Sequence, residues 1–190
     1  MKLNRNIIVA GLLGMAVAFT GCNNAAKNEK NSGALSNNMA ERSFVAPGEH
    51  DEFYGFISGG FSGQLAVYGL PSGRLFKVIP VFSQDAEKAY GYNEETKPML
   101  NTSFGFVPWD DSHHPDISQT AGKLDGRWVF INGNNTPRIA KIDLTTFETT
   151  EIIELPNSAG NHSSSFVTEN TEYVVAGTRF SVPVPQRDMP

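Results

Sequence analysis

Short apolar runs broken by glycine-rich turns recur along most of this chain, and a chain divided in that way can form hairpins but not long helices. The first series has runs at residues 54–58, 64–68 and 74–79, separated by Gly59-Gly60-Phe61-Ser62-Gly63 and Pro71-Ser72-Gly73. A second series has runs at 126–132, 138–143 and 149–155, with turns at Gly133-Asn134-Asn135-Thr136 and at residues 144–147. With 13 Phe, 18 Gly and 11 Pro in 190 residues, the composition favours strands and turns, so the expected class is all-β.

The two series echo each other. Gln64-Leu65-Ala66-Val67-Tyr68 matches Arg138-Ile139-Ala140-Lys141-Ile142, and Leu70 matches Leu144 in the turn that follows. The offset is about 47 residues once the segment 83–109 is set aside, which is within the range of propeller blades. That segment is polar at first and aromatic at Phe104-Gly105-Phe106-Val107-Pro108-Trp109, and reads as a long connecting loop that ends by packing against the fold. A β-unit of several strands repeated at this period predicts a partial β-propeller.

The N-terminus reads as an export signal over residues 1–21. Lys2 and Arg5 precede an apolar run at 7–19, too short to span a bilayer. Phe19-Thr20-Gly21-Cys22 resembles a lipobox, which makes Cys22 a candidate for lipid attachment; the alternative is a plain secretory signal with an incidental Cys. No Arg pair is present, so the general secretory route is expected, giving a periplasmic protein anchored to the membrane by lipid if Cys22 is acylated. Residues 22–41, mostly Asn, Ser, Lys, Ala and Gly, read as a flexible tether, and the domain expected after it covers 42–190. With 1 Cys, no internal disulfide forms. The net charge of −5, or −7 without Lys2 and Arg5, leaves no basic stripe for phosphates and argues against a nucleic-acid partner.

Three of the 4 histidines stand in two places: His113-His114 in Asp110-Asp111-Ser112-His113-His114-Pro115, and His162 in Asn161-His162-Ser163-Ser164. Neutral imidazole is the commonest metal ligand among side chains, but a His pair in a polar loop is more often only solvated. Position decides for metal here. His114 and His162 are 48 residues apart, and each precedes a run expected to open a blade, so both face the axis on which blades converge. Neighbours on a regular strand point to opposite faces, so His113 and His114 share one ion only across a loop, or else bind different ions of a cluster. Pro115 is expected to hold His114 extended. Asp111 is placed to accept the second imidazole N–H of a ligand and orient it, although Asp110-Asp111 reads equally well as a solvated turn or an N-cap. His50 is out of phase and receives no role.

Asp111-Ser112-His113-His114-Pro115, Asp125-Gly126-Arg127-Trp128-Val129-Phe130-Ile131-Asn132, Arg138-Ile139-Ala140-Lys141-Ile142, Glu154-Leu155-Pro156-Asn157 and His162 together resemble the N-terminal part of a nitrous-oxide reductase. The resemblance runs from about Tyr54 to the C-terminus, through Arg179-Phe180-Ser181-Val182-Pro183. It implies the N-terminal blades of a seven-bladed propeller around a tetranuclear, sulfide-bridged copper cluster, followed by a cupredoxin domain with a dinuclear copper centre. It also implies reduction of nitrous oxide to dinitrogen and water, a c-type cytochrome or similar electron donor, and a homodimer when complete. By motif match His113, His114 and His162 are cluster ligands, with Asp111 beside them.

The signal differs from the twin-Arg signal of many members, and Ser163 stands where Gly is expected. The chain holds fewer than the four blades of the smallest propellers, and no Cys remains for a cupredoxin centre. An N-terminal fragment, inactive alone, is therefore expected. The competing expectation from another class is a non-enzymatic propeller-type binding lipoprotein whose histidines only hydrogen-bond within loops. A mononuclear zinc hydrolase ranks last, because no general base is evident.

Overall fold

A computed structural model of the chain describes residues 38–156, 158, 160–162 and 165–179. The expected signal over 1–21, Cys22, the tether as far as residue 37, Ser163, Ser164 and the stretch beyond 179 lie outside the described residues. The end of the expected tether and the first residues of the expected domain form a short helix, α1 (Met39–Ser43), whose first amides are capped by the Asn38 side chain. Among the described residues no helix is long and apolar enough to cross a membrane.

The first series folds as expected into a three-stranded antiparallel sheet of β1 (Phe53–Ser58), β2 (Gln64–Leu70) and β3 (Leu75–Pro80). Along β2 the side chains alternate in burial, so Leu65 and Val67 turn to one face. The segment that follows leaves and re-enters the fold at one point: Ser83 bridges Trp109, and the Asp110 amide donates to the Phe82 carbonyl at 2.9 Å. Between these ends it carries a 3₁₀ turn (Lys97–Leu100) and a small hairpin of β4 (Asn101–Thr102) and β5 (Gly105–Phe106). Leu100 is fully buried, and the Tyr90 hydroxyl donates to the Val81 carbonyl, so the loop is pinned at several places.

The second series forms a four-stranded antiparallel sheet, ordered β6 (Ser112–Thr120), β7 (Lys123–Gly133), β8 (Arg138–Asp143) and β9 (Glu148–Glu154). The second half of β7, from Val129, and most of β8 are buried on both faces. Val129, Ile131, Ala140 and Ile142 pack against Leu65, Val67 and Ile79 of the first sheet and against Val81 and Phe82, which follow it. On the opposite face Phe130 and Ile139 pack with Val167 of the hairpin formed by β10 (Phe166–Val167) and β11 (Val174–Val175). The near-continuous apolar run Trp128-Val129-Phe130-Ile131 has this cause, since a strand covered on both sides has no polar face to alternate with. Hydrogen bonds also join the outer edge of β6 to the following segment: the Val167 amide donates to Asp116 Oδ2, and the Gln119 amide to Thr171 Oγ1. The architecture among the described residues is thus all-β, with antiparallel sheets stacked face to face and no closed ring.

Candidate metal centre

Expected ahead of a strand, the His-His-Pro element lies inside one. His113 pairs with Asn132 across the β6–β7 ladder and Asp116 pairs with Phe130, so two residues, His114 and Pro115, stand opposite the single residue Ile131. This is a β-bulge. Pro115 has no N–H to give the ladder, and a bulge is one of the few places within a sheet that accepts it. His114 takes φ +47°, the left-handed region, and not the extended conformation expected from its position before proline. Holding a non-glycine residue there opposes folding by about 1–2 kcal/mol, which the surrounding contacts must offset.

The bulge settles how neighbouring histidines come to share a side. In regular pleat their rings would diverge; here the His113 and His114 centroids are 5.4 Å apart. His162, from the segment between β9 and β10, completes a near-equilateral triangle, with centroids 4.8 Å from His113 and 5.2 Å from His114. One ring nitrogen from each can be chosen so that all three lie within 4.8 Å of one another. All three residues are half-buried. Burial first, then the neighbouring imidazoles of His162 and His113, hold the His114 pKa below the ordinary imidazole value. Its lone pair is therefore free at neutral pH. His50 is exposed and does not join the group.

Asp110 and Asp111 are no solvated turn: they are 0% and 2% exposed. Asp111 Oδ1 lies 3.0 Å from His113 Nε2, while its Oδ2 accepts from Asn134 Nδ2 at 2.9 Å. Asn134 Oδ1 in turn accepts from Arg179 at 2.6 Å. Asp110 closes the β7–β8 turn, its carboxylate accepting from the Asn135 and Thr136 amides, from the Thr136 hydroxyl and from the fully buried Arg138 guanidinium. Sequence reasoning missed Arg138 and the asparagines of this network. Arg138 looked like one more strand residue, and the turn Gly133-Asn134-Asn135-Thr136 looked like ordinary turn chemistry; only the Asp pair beside the histidines hinted at buried partners.

No protein-family model matches the chain. Its sequence is 34% identical to the nitrous-oxide reductase of Stutzerimonas stutzeri over 177 residues, which is 93% of this chain and 28% of that protein. It is 40% identical over 142 residues to the nitrous-oxide reductase of Pseudomonas fluorescens, covering 74% of this chain and 22% of the relative. With that of Cupriavidus necator it shares 36% identity over 152 residues, 74% of this chain and 24% of the relative. The chain spans about a quarter of the length of these curated relatives. Along the residues it has, therefore, this chain is a relative of the nitrous-oxide reductases.

Proposed function

We propose that the chain supplies part of the copper site of a nitrous-oxide reductase, with His113, His114 and His162 as ligands and Asp111 orienting His113. The observation that carries this reading is the convergence of three imidazoles from two separate segments onto one small volume. The donor set fits copper: imidazole suits copper and zinc alike, and among the described residues no carboxylate joins the triad to favour a harder ion. A carboxylate beside one imidazole is also the usual arrangement around a metal-bound histidine.

When bound, a copper cluster of the tetranuclear, sulfide-bridged type would supply the electrons that reduce nitrous oxide, with two protons, to dinitrogen and water. The residues of this chain have simpler tasks. His114 presents a neutral ring, Asp111 fixes the rotation of His113, and the bulge sets both rings on one side. In this reading the stacked sheets are the first blades of a propeller, Cys22 is the lipid attachment point and the general secretory route delivers the protein to the periplasm. A c-type cytochrome or similar donor supplies electrons to the complete, homodimeric enzyme, whose dinuclear centre lies in sequence beyond this chain.

Copper content and visible absorption of the purified chain test the assignment. The unaltered chain should retain copper through gel filtration, and His114→Ala should lose it. An unchanged copper spectrum in that variant removes His114 from the ligand set.

A further inference from the structure

The two arms of the histidine site belong to separate segments of the chain. His113 and His114 come from the β6 bulge and His162 from an irregular segment, so some contact must fix the distance between them. Among the described residues, one side chain of the sheet reaches the residue next to His162 directly. Asn132, fully buried on β7, is the cross-strand partner of His113, and its Nδ2 donates at 2.5 Å to the carbonyl of Asn161, the residue immediately before His162. Its own Oδ1 is buried and, among the described residues, accepts no hydrogen bond from another side chain or amide. Asn161, also fully buried, makes no hydrogen bond with either side-chain atom. Its backbone carbonyl, not its amide group, is what Asn132 holds; a second tie of the segment runs through Arg179, whose amide donates to the Gly160 carbonyl and whose side chain donates to Asn134.

We infer that Asn132 is a positioning residue for the metal site: by gripping the Asn161 carbonyl from the place opposite His113, it sets the separation of the His162 ring from the His113-His114 pair. The inference rests on the copper reading above and assigns to it a residue that touches no ligand atom. Without that grip, His162 keeps its chemistry but loses its place, and the pair on β6 is left to bind alone. Loss of a residue that orients metal ligands commonly weakens metal binding about 10–100-fold.

The test is Cu(I) titration of the full chain against a colorimetric chelator, with X-ray absorption to count bound imidazoles. The unaltered chain should hold Cu(I) through three imidazoles. Asn132→Leu, close in size and unable to donate, should bind about 10–100-fold more weakly through two. Asn161→Ala keeps the carbonyl and should bind like the unaltered chain. In a His162→Ala background the third ligand is already absent, so adding Asn132→Leu should change affinity no further; an equal loss there would mean a merely structural role and overturn the inference. So would Asn132→Leu that keeps three imidazoles at full affinity, or Asn161→Ala that weakens binding as much. If Asn132→Leu fails to fold by circular dichroism, Asn132→Asp replaces it with the same expectations. An unaltered chain that takes up no Cu(I) sinks the copper reading itself, an outcome distinct from unaltered uptake that Asn132 does not influence.

Discussion

His114 has two properties that depend on each other. Its left-handed backbone turns its ring to the side of His113, and burial, together with the nearby rings of His162 and His113, disfavours its protonation. The native state therefore binds a proton at His114 less readily than the unfolded chain, whose imidazole keeps the ordinary value of 6.5. The sign follows from linkage. Above 6.5 both states are neutral and stability is unaffected; as pH falls below 6.5 the unfolded state takes up the proton first and gains. In the metal-free chain the His114 ring should titrate below 6.5 by NMR, and stability to urea should decline over the same acidic range. A His114 midpoint at or above 6.5 would contradict the burial and the crowding described for this ring.

At the scale of elements, the β7–β8 turn carries more of the site than its composition suggested. Asp110 and Arg138 are both fully buried, and the pair joins the end of the long loop to the start of β8, directly behind Asp111. Removing one member leaves the other charged and unsolvated, which destabilises a fold by about 3–5 kcal/mol. Asp110→Ala should accordingly lower the unfolding free energy in urea by about 3–5 kcal/mol. The loss should change little between low and high salt, because a buried pair is weakly screened. Strand positions were legible in the sequence because Gly59 to Gly63 and Pro71 to Gly73 punctuate them. The long loop was legible too, its ends at Ser83 and Trp109 meeting in a bridge. What pattern could not reveal was the bulge: an extra residue in one strand leaves no periodic trace, and Pro115 argued for extended backbone where the pairing demanded the opposite. The cross-strand role of Asn132 was hidden for a related reason, since a polar residue ending an apolar run reads as the strand's exit to solvent.

Across the whole molecule, the four-stranded sheet is the middle layer, with the first sheet on one face and the β10–β11 hairpin on the other. Ile131 is fully buried in the packing between the sheets and stands opposite the bulge, so core and site meet at one residue. Ile131→Ala should destabilise the fold by about 2–5 kcal/mol. Fluorescence and circular dichroism should report one coincident transition, as expected when both sheets share a core; separate transitions would show that the layers fold independently. The same layering explains why composition gave the class but not the arrangement, because Val129 and Phe130 are equally apolar while serving opposite faces.

The neck at Ser83 and Trp109 has an engineering consequence. Because the chain's exit and return are hydrogen-bonded to each other, the ends of the loop are fixed at the sheets before its interior is counted. Doubling the length of such a loop opposes folding by only about 0.6 kcal/mol. A foreign peptide spliced between Ser103 and Phe104, at the tip of the small β4–β5 hairpin, would leave this neck closed, provided that it preserves the two hydrogen bonds by which Ser103 holds Glu154 on β9.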